Sequence, residues 1–95
     1  MGQAPSPSAS IMAMNRRQML LRLLNRQTNV AFGDMVDLIE GFGFQLDRTR
    51  GSHHIFVRKG IPELVNLQEV RGQAKPYQIR QFLKLVELYD LHLED

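Results

Sequence analysis

The sequence contains no cysteine. Disulfides and thiolate metal sites are thereby excluded, and the chain suits a reducing compartment such as the cytoplasm. No apolar run approaches the roughly 20 residues of a membrane span, so no membrane is expected as a partner. The opening MGQAPSPSASIMAM lacks the basic start and long apolar centre of a secretory signal. Its Pro, Ser and Ala content predicts a disordered tail over residues 1–14. No internal repeat is present. There is little excess of charge of either sign, the formal net charge being only +2.

What remains is 95 residues with a 43% apolar fraction, enough for one small domain of two packed layers over residues 15–95. The sequence pI is about 9.4, and the cations are clustered. Arg16, Arg17, Arg22 and Arg26 form a basic first segment, and Arg48, Arg50, Arg58 and Lys59 surround the tetrapeptide Gly51-Ser52-His53-His54. Arg71, Lys75, Arg80 and Lys84 make a third group. Charge runs are usually solvated surface, but cations around a histidine pair also fit a phosphate backbone.

Periodicity predicts helix, helix, strand, strand, strand, helix. Asn15–Gln27 has Met19, Leu20, Leu23 and Leu24 at helical spacing. A second helix opens at Gly33-Asp34, carries Met35, Leu38 and Ile39 on one face, and is stopped by Gly41 and Gly43. Strands are expected at Phe44–Thr49, Ser52–Arg58 and Leu64–Gln68, the last followed by a loop over Glu69–Ala74. Pro76 opens a final helix running to about Tyr89, with Ile79, Phe82, Leu83 and Val86 inward. The fold class is therefore α+β: a three-stranded antiparallel sheet with helices packed on one face, plus an N-terminal helix.

Alternation along the strands assigns the faces. Phe44 and Leu46, then His53, Ile55 and Val57, then Val65 and Leu67 form the expected core side. Gln45, Asp47, Thr49, Ser52, His54, Phe56, Arg58, Asn66 and Gln68 form the open side. On this reading His53 is a satisfied, partly buried histidine. His54 stands exposed beside Phe56 and Arg58, joining a proton carrier, a base-stacking surface and a phosphate-binding cation. Adjacent strand histidines point apart and His92 stands alone, so no metal-ligand set converges and no metal or other cofactor is expected.

The run GFGFQLDRTRGSHHIFVRKG, the short VNLQ strand and KPYQIRQFLKLVE together resemble the HicA (YcfA-like) toxins of bacterial toxin–antitoxin pairs. The likeness covers about residues 32–89, the core of the domain. It rests on a helix ending in Gly-Phe before the first strand, a G-S-x-H element at the first hairpin, and a Lys-Pro start to the closing helix. The resemblance implies a double-stranded-RNA-binding-domain-like fold. It also implies a cytoplasmic, metal-independent mRNA interferase of bacterial stress responses, restrained by a HicB-like antitoxin. The last residue of G-S-x-H is the family's catalytic histidine, which is His54 here. Two departures stand out. Many members carry V-x-V-P-x-H in the third strand, where this chain has Val65-Asn66-Leu67-Gln68. The helix over Asn15–Gln27 is an addition to the compact family pattern.

Two functional readings follow. In the first, His54 is general acid or base in RNA cleavage, with Ser52, Phe56, Arg58, Lys59, Arg50 and Lys75 contacting RNA. Asp47 stands by to orient, and Lys75 gains from lying at a helix N-terminus. In the second, the domain binds RNA or its antitoxin without cutting anything, because fold alone does not decide function.

Overall fold

The computed structural model describes residues 15–94; the tail expected over residues 1–14 lies outside them. Helix α1 spans Arg16–Asn25 and α2 Phe32–Gly41, followed by strands β1 Gln45–Arg50, β2 His53–Arg58, β3 Ile61–Val70 and β4 Gln73–Ala74. Helix α3 closes the chain at Pro76–Leu88.

The added α1 is built by a capping box. Asn15 accepts the Gln18 N–H at 2.8 Å, and the Gln18 side chain accepts the Asn15 N–H in return. Met19 and Leu23 are buried in the core and Leu20 packs partly buried against it, while Leu24 stays exposed. Arg16 clamps α1 to α2 with two hydrogen bonds to Asp37, at 3.1 and 3.3 Å. Gly41 does not stop α2; it is the last helical residue, and a Cβ there would meet the Arg16 side chain at 2.6 Å. Gly43, at φ +88°, turns the chain out of the helix.

The four strands lie in the order β1-β2-β3-β4 with every neighbouring pair antiparallel. The sheet therefore has four strands where three were expected. The extra strand comes from the segment read as a loop. Arg71 and Gly72 both adopt positive φ, +54° and +78°, which makes a two-residue turn of the twist that hairpins favour. Asn-Gly would have announced such a turn; Arg-Gly did not. β4 then ties the α1–α2 connector to the sheet. Gly72 accepts the Phe32 N–H, Val30 accepts the Ala74 N–H, both at 2.9 Å, and Ala31 bridges Gln73.

The core lies between the sheet and α2 and α3. Phe82 of α3 sits edge-on to both Phe42 and Phe44, with ring centroids 5.6 Å apart in each pair. Phe56, Val65, Leu67, Leu38, Ile39 and Ile79 complete its centre.

The faces of β2 are the reverse of those that alternation suggested. Phe56 is 1% exposed and pairs with Val65 and Leu46, so Phe56 and His54 face the helices. His53, Ile55 and Val57 face the other way. Ile55 and Val57 are as apolar as Phe56, but only the large ring fills the space beneath α2 and α3. β1 adds a second change. Its register shifts between Leu46 and Arg48, so Asp47 is a bulge and Thr49 comes to face His54 from the helix side.

Candidate functional site

Gly51, at φ +59°, and Ser52 form the β1–β2 turn, and His54 follows one residue into β2. Its imidazole is half-buried. Its ring centroid lies 4.7 Å from that of Phe32, with the planes at 61°. Phe32 is the first residue of α2, held to the sheet by its N–H bond to Gly72. On the other side, Nδ1 of His54 lies 3.4 Å from the Ser52 carbonyl oxygen. A proton on Nδ1 points at that carbonyl and leaves Nε2 as the free lone pair, the arrangement a general base requires. Across the strands His54 pairs with Thr49 on β1 and Leu67 on β3. The half-buried ring thus stands between the sheet and the entry to α2, not on an open sheet surface.

His53 is on the opposite face, with Nδ1 3.1 Å from Oδ1 of Asn66. It remains a satisfied histidine, but on the outer side of the sheet. Ser52 is exposed and its hydroxyl accepts from Gln68 at 3.2 Å. The Gln68 backbone N–H is in turn taken by the Gln78 side chain. The Gln68 side chain thus braces the turn holding Ser52.

Two expected RNA contacts are corrected. Phe56 is in the core and offers no surface to a base. Arg58 donates to the Phe42 carbonyl at 2.8 Å and lies 3.7 Å from the Glu94 carboxylate. It caps the C-terminal end of α2, four residues and about 13 Å along β2 from His54. Lys59 is exposed in the turn beyond it, at the same far end. Arg50 is exposed and pairs with His53, hence on the outer face. Lys75 is exposed at the start of α3. Asp47 is held in an ion pair with its neighbour Arg48. Of the expected set, only Ser52 adjoins His54. The structure adds Phe32 and Thr49. Thr49 was concealed by the bulge, and Phe32 lies 22 residues away in sequence on another element.

The turn, the histidine and the two elements that hold it fall within one stretch of chain. The family model of the HicA toxin of bacterial toxin–antitoxin systems matches residues 32–88. The chain belongs to the HicA toxin family. No curated protein and no solved structure matches it. As a HicA protein it is the toxin of a toxin–antitoxin pair, and its α+β architecture is the double-stranded-RNA-binding-domain-like fold of that family. The match begins at Phe32, so α1 is an addition outside the family core. Among the described residues, no helix is long and apolar enough to cross a membrane.

Proposed function

We propose that this HicA protein is a metal-independent endoribonuclease that cuts mRNA in the bacterial cytoplasm and is held inactive by a HicB-like antitoxin. The observation that carries the reading is His54. It occupies the last position of G-S-x-H within the family stretch, with its ring held by Phe32 and its Nδ1 directed at the Ser52 carbonyl.

In this mechanism Nε2 of His54 takes the proton from a ribose 2′-OH. The 2′ oxygen attacks the adjacent phosphorus, the bond to the 5′ oxygen breaks, and a 2′,3′-cyclic phosphate is left. The leaving 5′ oxygen takes its proton from the imidazolium or from water. Arg50, Lys75 and Lys59, none of which adjoins His54, contact the RNA backbone away from the cleaved phosphate. Ser52 orients the RNA at the turn.

A second reading, an RNA- or antitoxin-binding domain that does not cut, is favoured by one observation. The histidine of the V-x-V-P-x-H strand carried by many members is absent from this chain's Val65-Asn66-Leu67-Gln68-Glu69-Val70.

Purified protein assayed for RNA cleavage in EDTA separates the two. His54→Ala is expected to lower the rate by at least about 100-fold, the contribution of a general acid or base, with the circular dichroism spectrum unchanged. His53→Ala, on the far face, is expected to cut like the wild type. If wild type and His54→Ala cut equally, the assignment to His54 fails. If neither cuts and both bind RNA alike, the binding reading replaces it.

A further inference from the structure

Gln78 is the one buried polar side chain among the described residues, at 9% exposure. It lies in the first turn of α3, next to the buried Ile79. A buried amide has to find a hydrogen-bond partner. Its Oε1 accepts the backbone N–H of Gln68 on β3. Helix α3 thus pins the strand at one residue, and the side chain of that residue reaches on to the β1–β2 turn. Gln68 donates from Nε2 to the Ser52 hydroxyl at 3.2 Å. The next residue, Glu69, donates its backbone N–H to the Ser52 carbonyl at 3.0 Å. Ser52 is therefore held twice, at hydroxyl and at carbonyl, by consecutive residues of β3.

The turn needs such a hold. Gly51 and Ser52 are both exposed, and a Cβ on Gly51 would meet nothing within 4 Å. Packing does not fix this turn; hydrogen bonds do. The carbonyl so held is the one that lies 3.4 Å from Nδ1 of His54. Among the described residues it is the only hydrogen-bond partner of that ring. The Phe32 ring, 4.7 Å away between centroids, fixes where the imidazole lies but offers no acceptor for its proton. The choice between the two ring nitrogens is left to the Ser52 carbonyl.

We propose that Gln68 and Gln78 are positioning residues for His54. Acting through Ser52, they hold the carbonyl that keeps the imidazole proton on Nδ1 and leaves Nε2 free. The line runs from α3 through β3 and the turn to β2, as Gln78, Gln68, Ser52 and His54. Its consequence for catalysis rests on the reading of His54 as the general base, whereas the position of the proton is measured without RNA.

The imidazole 15N signals of His54 report which nitrogen carries the proton. They are recorded at a pH of about 8.5, where an ordinary imidazole is neutral. The wild type is expected to be mainly the Nδ1–H form. Gln68→Met keeps the backbone N–H and the reach of the side chain and removes the amide, so the fold is retained. It is expected to lower the ratio of Nδ1–H to Nε2–H forms at least about threefold, the scale of one weakened hydrogen bond. Gln68→Glu supplies an oxygen to which the Ser52 hydroxyl can donate, and should bring the ratio back toward the wild-type value. Gln78→Met should act in the direction of Gln68→Met; if it unfolds the chain, Gln68→Met decides alone. Asn66→Leu, which removes the partner of His53, should leave the His54 signals unchanged. In the cleavage assay, kcat of Gln68→Met should fall by the factor by which its Nδ1–H fraction falls. A wild type that is mainly the Nε2–H form, or a folded Gln68→Met with an unmoved ratio, would overturn the proposal even if the wild type cuts RNA. A ratio that shifts as expected in a protein that cuts nothing upholds the brace, and only the nuclease reading falls.

Discussion

His53 and His54 are chemically identical and adjacent, and the residues around them make them different. His54 meets an aromatic ring and a backbone carbonyl and keeps one ring nitrogen free; His53 meets an asparagine amide on the other face. Phe56 shows the same dependence on surroundings. As a surface aromatic it would stack on a base, but at 1% exposure it is a core residue between Val65 and Leu46. Phe56→Ala is therefore expected to cost about 3–5 kcal/mol of stability, measured by urea unfolding. Under conditions where the variant remains folded, its RNA affinity should match the wild type. A large loss of affinity with little loss of stability would return Phe56 to the RNA surface.

Elements are joined by contacts that join chain ends to sheet ends. Arg58 ties β2 to the end of α2 through the Phe42 carbonyl, and Tyr89, at the end of α3, donates to Glu63 of β3 at 2.6 Å. That hydrogen bond to Glu63 raises the Tyr89 pKa above its ordinary 10.0, with partial burial and the carboxylate's charge adding in the same direction. The folded state thus holds the phenolic proton more tightly than the unfolded chain. The resulting stability is present in full below pH 10 and is lost as pH rises through the raised value. Glu63→Gln should bring the phenol's ultraviolet titration back toward 10.0. An unchanged titration would show that Glu63 is not the cause. The bulge at Asp47 belongs to this scale too. One inserted residue turns Thr49 toward His54, and no alternation rule applied to β1 alone shows it.

At the scale of the whole molecule, the β3–β4 hairpin links parts distant in sequence. Its turn residue Gly72 accepts the N–H of Phe32, and Phe32 holds the His54 ring. Gly72 is at φ +78°, where a Cβ is strained although nothing lies within 4 Å of it. Gly72→Ala is expected to destabilise the domain by about 1 kcal/mol. On the proposed mechanism it also lowers RNA cleavage more than the lost folded fraction explains, because the entry to α2 shifts against His54. Cleavage that follows the folded fraction alone would separate the hairpin from the site.

Much of this was legible along the chain. Helix positions follow from apolar spacing and from Pro76. The strands at Gln45–Arg50 and His53–Arg58 follow from local β patterns and the Gly51 turn. The G-S-x-H motif singles out His54 and the family that the match over residues 32–88 shows. These are local properties, carried by residues within one turn or one strand. Which face of β2 is inward was not local. Ile55, Val57 and Phe56 all satisfy an apolar pattern, and the choice among them depends on the volume left between a sheet and two helices. β4 depended on a turn whose first residue, Arg71, is an unusual occupant of positive φ and is accepted because the Phe32, Val30 and Ala31 backbones bond the hairpin. The partners of His54, Phe32 on one side and Thr49 across a bulged strand, come from separate elements. Sequence order places residues along a line, whereas the contacts that prepare an imidazole for proton transfer are made by packing in three dimensions.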